Sequence, residues 1–295
     1  MNYTTVPNAA LNALSQGLDE MTPQVRKAAR YVMEHPEDIG FSTVREVAEA
    51  ADVKPNTMVR MARQAGFDGF DDFREQFRDA IRSGEASFSD RARWLQGIQK
   101  GGAMGELFAD MAERALKNIE KTFASTSEEQ LQAAAEAIWN SRKVYTLGVG
   151  VNHANAHNFT YLASTGMTDF HTIPRPGSTS VDDLAWADEQ DVLIAITCSP
   201  YRTEVVQAVQ FAKEQGIKIV ALSDSPASPI IRAADHGFLV STETPQFFPS
   251  SAATIALLET LLSFVVAHSS EEVVGRVEKY HNRRHQLGLY QEDQN

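Results

Sequence analysis

The sequence predicts an all-α N-terminal domain of helix-turn-helix type, followed by a three-layer α/β domain built on a parallel sheet. Three observations carry this reading. Before residue 82, apolar residues recur at helical spacing in three short blocks, separated by Pro36 and by a turn at Asp52 and Val53. After residue 140 the period changes. VYTLGVG (144–150), DVLIAIT (191–197), KIVALSD (218–224) and GFLV (237–240) are continuously apolar runs bounded by turn residues, with helical patterns between most of them. Strands of that kind are buried on both faces, as in a parallel sheet covered by helices. Finally, the segment VKPNTMVRMARQ holds Lys54, Arg60 and Arg63 without a carboxylate, in a chain of formal net charge -12.

Taken in order, TPQVRKAARYVMEH (22–35) places Thr22 and Pro23 at a helix start, with Val25, Ala28, Ala29, Val32 and Met33 at helical spacing. STVREVAEAADV follows, with Ser42 or Thr43 as cap and Val44, Val47, Ala48 and Ala51 on one face. The third helix begins at Pro55, turns Met58, Val59, Ala62 and Ala65 inward and ends at Gly66. Phe67, Phe70 and Phe73 are expected to close this small core. Residues 83–105, which include SGEAS and QKGG, have the composition of a joint between domains. Helices are expected over 104–140, and a fifth strand near DFHTI (169–173). ATIALLETLLSFVVA (253–267) is interrupted by Glu259 and too short to span a bilayer, so it reads as a buried helix.

At 295 residues with 43% hydrophobic content, the chain has enough apolar surface for two cores. Its acidic balance excludes a protein that coats nucleic acid or an anionic membrane, so any nucleic-acid contact must rest on a local basic patch. A single cysteine, Cys198, excludes an intramolecular disulfide framework and a cysteine-based metal cluster. The N-terminal stretch lacks a basic start followed by an apolar run, so no export signal is expected and the setting reads as cytoplasmic. No cofactor and no metal site are expected.

Two helices joined by a tight turn, the second polar and cationic near its N-terminus, match the geometry in which that N-terminus enters the DNA major groove. Arginine forks onto guanine and asparagine onto adenine, whereas lysine more simply meets phosphate. Asn56, Thr57 and Arg60 are therefore expected at base edges, with Lys54 and Arg63 on the backbone. The competing reading is an exposed basic face that is merely solvated.

In open parallel sheets, ligands bind at the carboxyl ends of strands, where loops feed helix N-termini that attract anions. Three loops suit that role. GVGVNHA offers Gly148 and Gly150 for close backbone approach and Asn152 and His153 at a helix start. TCSPYRTE (197–204) is the sharpest anion site: Ser199 and Thr203 to bond oxyanions, Arg202 with its fork of donors, and Tyr201 beside it. SDSPASP (223–229) adds Ser223 and Ser225. Against these stand plainer roles. Ser199 and Thr203 also suit helix caps, His153 suits the surface, Arg202 could pair with Glu204 or Glu189, and Cys198 suits a small buried filler.

MTPQVRKAARYVMEHPEDIGF, then VREVAEAADVKPNTMVRMARQAGFDGFDDFR, then the run from VYTLGVG to near His268 resemble the RpiR family of bacterial transcriptional regulators, in which a helix-turn-helix domain precedes a sugar isomerase (SIS) domain. The RxARxxGFxGFxxF pattern of Arg60, Arg63, Gly66, Phe67, Gly69, Phe70 and Phe73 carries it most specifically. The resemblance implies DNA binding at a palindromic operator, control by a small effector that is frequently a phosphorylated sugar or sugar acid, and a homodimer or homotetramer. It divides the chain into a DNA-binding domain (1–82), a helical linker (83–125), a SIS effector domain (126–270) and a C-terminal helical tail (271–295). Two positions depart from the family pattern: Asn152 stands where a serine is usual, and Ser199, Pro200, Tyr201, Arg202 replace a Ser-Gly-x-Thr turn. "Anionic metabolite" is thus the expected effector class, held in part by Arg202. The alternative is a sugar-phosphate isomerase or lyase with Glu204, His281 or His285 as base; the sequence offers no paired acid and base for it, and the chain is read as a non-enzyme.

Overall fold

A computed structural model describes residues 9–40, 42–82 and 104–290, with four positions between them. The chain divides into two compact units: the residues up to Leu116 with Glu243–Ser250, and Lys117–Thr242 with the residues from Ser251 on. Most of the expected linker, including SGEAS and QKGG, lies outside the described residues.

In the first unit, helices α1 (Ala9–Gly17), α2 (Pro23–Glu34), α3 (Pro36–Ile39), α4 (Val44–Ala50), α5 (Pro55–Gln64) and α6 (Phe70–Arg82) enclose one core. Pro23 takes the first position of α2 after Thr22, whose side chain forms no cap bond. Thr43 caps α4 reciprocally: its hydroxyl accepts from the Glu46 amide, and the Glu46 carboxylate accepts from the Thr43 amide. Asp52 adopts a left-handed φ of 49° in the turn that follows, a conformation that short polar side chains tolerate. Lys27 of α2 pairs with the Asp52 carboxylate and donates to its carbonyl, tying the turn to α2. Gly66, at φ 91°, ends α5, and the Phe67 amide then donates back to the Ala62 carbonyl.

The inward stripe of α5 differs by one step from expectation. Met58, Met61 and Ala62 are buried, while Val59 and Ala65 are only partly covered. The stripe follows the side of α5 that faces both α2 and α4, which brings Met61 under and rolls Val59 toward the edge. Phe70 and Phe73 close the core as expected, Phe67 is half-buried with its ring edge-on to Phe73 at 5.3 Å, and Phe77 extends the cluster.

Helix α7 (Met104–Ala124) begins in the first unit and ends in the second. There, Asn118 and Thr122 are buried and accept from Ser241, just beyond the last strand. The second unit continues with α8 (Glu128–Trp139), β1 (Val144–Gly148), α9 (Val151–Ala163), β2 (Phe170–Ile173), α10 (Ser180–Asp183), β3 (Val192–Ile196), α11 (Thr203–Glu214), β4 (Lys218–Ser223), α12 (Pro229–Ala233), β5 (His236–Leu239), α13 (Ala252–Ala267) and α14 (Glu271–Gln286). The five strands are all parallel, in the order β2-β1-β3-β4-β5. Successive side chains alternate between faces. Val192, Ile194 and Ile196 join a core beneath α8, α9 and α13, and Leu193 and Ala195 join another beneath α11 and α12. The layers are therefore helix, sheet, helix. Within α13, Leu257, Leu258, Leu261 and Val265 are buried and Glu259 faces solvent, as expected of a core helix. Among the described residues, no single helix is long and apolar enough to cross a membrane.

Strand order places the site. β1 and β3 are neighbours, yet the helices that follow them, α9 and α11, cover opposite faces. The carboxyl ends of these two strands are therefore the sheet's switch point, the place where open parallel sheets form their ligand crevice.

Candidate functional sites

Helix α5 presents a face free of acids. Lys54, Asn56, Arg60, Arg63 and Gln64 are exposed and Thr57 is half-exposed. Pro55 takes the first helical position of α5, and Lys54, at the cap, makes no side-chain bond to the helix amides. The Arg63 Nε donates to the Asp68 carbonyl at 3.2 Å, which steadies the guanidinium against the turn after α5. The side chains expected at base edges (Asn56, Thr57, Arg60) and on phosphates (Lys54, Arg63) thus share one accessible surface behind α4, in helix-turn-helix order.

At the sheet's switch point the three loops follow β1, β3 and β4. A Cβ on Gly148 would fall 2.1 Å from the Asn152 carbonyl oxygen, so only glycine lets α9 start this close to the strand end. Gly150, at φ 65°, turns the chain into α9. His153 is exposed at the mouth of this loop. The Asn152 side chain is engaged: its carbonyl accepts from the Asn155 amide at 3.0 Å, and the same Asn155 nitrogen donates to the Ser251 hydroxyl at 3.3 Å.

In the second loop, Ser199 and Thr203 are exposed, but the Ser199 amide donates to the Asp224 carboxylate at 3.1 Å. Arg202 grips Glu204 through both Nε and a terminal nitrogen, at 2.9 and 3.1 Å. Of the two partners expected for Arg202, Glu204 is the one it takes. Both side chains remain about half exposed, at 53% and 52%. The Arg202 amide donates to the Thr197 hydroxyl, which fixes the approach to α11.

In the third loop, Ser223 is fully buried, and its hydroxyl donates to the Thr197 carbonyl and bonds the Ser228 hydroxyl. The expectation that Ser223 faces a ligand is corrected on this ground: its bonds join the β3 and β4 ends to one another. Ser225 is half-exposed and caps the Ala227 amide. Tyr201 reaches this loop, its hydroxyl among Ser225, Asp224 and Ser228; burial first, and then the Asp224 charge, push its phenol above the usual range. Burial and the same carboxylate push the Cys198 thiol up to about 12, so it is a packed, protonated filler as expected. Asp224 was not singled out by sequence, although it is the group on which Ser199, Tyr201 and Ser223 converge. Its position after a strand was the available signal.

Comparisons with known proteins agree with this geometry. The family model described as "Helix-turn-helix domain, rpiR family" matches residues 8–84, and that of the SIS domain matches residues 137–268. The chain belongs to the RpiR family. An uncharacterised HTH-type transcriptional regulator of Caldanaerobacter subterraneus is 27% identical over 87% of this chain and 90% of its own length. The HTH-type transcriptional regulator RpiR of Escherichia coli K12 is 24% identical over 76% of this chain and 74% of its own. Among solved structures, the sugar isomerase domain of an RpiR transcription factor from Sphaerobacter thermophilus superposes with a TM-score of 0.56 at 27% identity, over 60% of this chain and 99% of that one. The Vibrio vulnificus NanR protein, solved with ManNAc-6P, shares the fold over 94% of this chain and 98% of its own, with a TM-score of 0.55 at 18% identity.

As an RpiR-family regulator, the chain pairs its DNA-reading unit with a SIS unit whose loops after β1, β3 and β4 carry Gly150, Asn152, His153, Ser199, Tyr201, Arg202, Thr203 and Ser225. The structure thus gathers the loop residues picked from sequence at one end of one sheet, and shows Ser223 beneath them.

Proposed function

We propose that this regulator reads duplex DNA with Asn56, Thr57 and Arg60 at base edges and Lys54 and Arg63 on phosphates, and that an anionic metabolite seated at the switch point of the SIS unit changes its operator affinity. The acid-free exposed face of α5, in a chain of net charge -12, carries the first half. The second half rests on the crevice between the ends of β1 and β3. There, Arg202 supplies the anion-matching fork in place of the family's usual glycine and threonine, and exchanges Glu204 for the ligand. The nearby Asp224 repels a second negative group and accepts from the Ser199 amide and the Ser223 hydroxyl. The favoured effector therefore has one anionic end, directed at Arg202, and a hydroxylated body: a sugar phosphate or sugar acid.

The SIS unit acts as a sensor and not as a catalyst. Glu204 is bound by Arg202, and His281 and His285 lie on α14, remote in sequence and element from the switch-point loops. The effector acts only through a difference in its affinity for two arrangements of the protein. The working form is a homodimer or homotetramer on a palindromic site, since paired reading heads match paired half-sites. The test is fluorescence anisotropy of the full chain on operator DNA at half-saturation, challenged with a panel of sugar phosphates and sugar acids that includes ManNAc-6P. A saturable change with one class supports the reading. Binding of such compounds in calorimetry with no change in DNA affinity would contradict it.

A further inference from the structure

A cavity lies at the other end of the SIS unit, in the region leading into β2 and not in the loops that leave the strands. It is a groove of about 410 Å³ between the turn Ser164–Thr168 and one face of α14. Its cations are Arg276, Lys279, Arg283 and Arg284, and among the described residues none that lines it is acidic. Residues three and four apart share a helix face, so Arg276, Lys279 and Arg283 form one row along the groove, with Tyr280 and Leu287 beside it. The turn meets α14 closely because position 166 is glycine: a Cβ there would fall 2.8 Å from Val277 and 2.9 Å from Val273.

Two of the four cations are held in place. Arg276 pairs with Glu272 one turn back at 2.7 Å. Arg284 donates to the hydroxyls of Tyr280 at 2.8 Å and Tyr161 at 3.1 Å, and its guanidinium lies over the Tyr280 and Tyr290 rings. Lys279 and Arg283 are exposed and form no ion pair among the described residues. Basic side chains in the last turn of a helix complement its dipole without any ligand, and that accounts for Arg283 and Arg284. It does not account for Arg276 and Lys279, which precede the last turn. Nor does it account for the apolar floor supplied by Met167, the Tyr280 ring and Leu287. In an acidic chain, four cations around an apolar groove of ligand size make a selective environment.

We infer that this groove binds a small amphipathic anion, with a carboxylate-like head between Lys279 and Arg283 and an aliphatic or aromatic body over Met167 and Leu287. The site is separate from the switch-point crevice and does not depend on that crevice's role. The test uses the full chain with ¹³C-methyl-labelled methionine, the Met167 resonance being assigned with Met167→Leu. Octanoate is the probe and octanol its uncharged counterpart. Octanoate is expected to shift the Met167 methyl saturably and to bind at least tenfold more tightly than octanol. The variant K279A/R283A, altered only at exposed positions, is expected to bind octanoate at least tenfold more weakly with an unchanged urea midpoint. An unmoved Met167 resonance, equal affinity for octanol, or unchanged octanoate affinity in the double variant overturns the proposal.

Discussion

Arg202 and Glu204 hold one another at the mouth of the switch-point crevice, and the same guanidinium is proposed to take the effector. Exposed pairs of this kind are worth about 0–1 kcal/mol, so a ligand can displace one. Two opposite outcomes follow. Arg202→Ala is expected to abolish the metabolite response while leaving ligand-free DNA affinity within about twofold. Glu204→Gln removes the competing carboxylate and is expected to tighten effector binding severalfold in calorimetry. Weaker binding in Glu204→Gln would show that Glu204 itself serves the ligand. Cys198 offers a check on the local structure. A thiol held up to about 12 carries almost no thiolate at pH 8. Its reaction with a disulfide reagent should then be about a thousandfold slower in the native chain than in urea. At Gly148, any Cβ meets the backbone of α9. Gly148→Ala is expected to cost on the order of 3 kcal/mol in chemical unfolding, because backbone there cannot rotate aside. Sequence singled out most of these residues but not their partners. Arg202 had two plausible partners, of which only the fold selects Glu204 over Glu189; Ser223 is buried by the β3–β4 junction, and Asp224 gains meaning only where two strand ends meet. Pairings across separated segments are tertiary facts that spacing does not encode.

At the scale of elements, legibility follows the strength of the local signal. The strands around 144, 192 and 218 are buried on both faces, and so read as apolar runs. The edge strand β2 is mostly half-exposed and was only faintly marked by DFHTI. Helices α2, α4 and α5 were visible because proline and cap residues punctuate them, whereas α1 lacks such marks and Pro36, read only as a break, opens the four-residue α3. The slip on α5, with Met61 inside in place of Val59, reflects packing against two helices at once, which a one-faced stripe does not foresee. The Thr43 capping box leads into α4, the helix that sets α5 in place. Thr43→Ala is expected to cost about 1 kcal/mol and to speed hydrogen exchange of the α4 amides. Unchanged exchange would remove the cap from any part in holding the reading helix.

For the whole molecule, the governing quantity is where charge sits, and not its sum. A net charge of -12 opposes DNA at long range, but exposed charges are screened over about 10 Å at 0.1 M salt. The acid-free face of α5 then dominates at contact. Arg60 stands near the middle of that face, exposed and free of any carboxylate among the described residues. Sequence reading by this face is the role proposed for it. Its most direct test is an anisotropy titration, over a salt series, of wild-type chain and Arg60→Ala onto a duplex selected by the full chain from a random library, with a scrambled duplex as control. The wild-type chain is expected to bind the selected duplex tightly, with log affinity falling with log salt. Arg60→Ala is expected to lose about 1–3 kcal/mol on that duplex, with little change on the scrambled one. Equal affinity of wild type and Arg60→Ala for the selected duplex, or equal affinity of wild type for both duplexes, would contradict it.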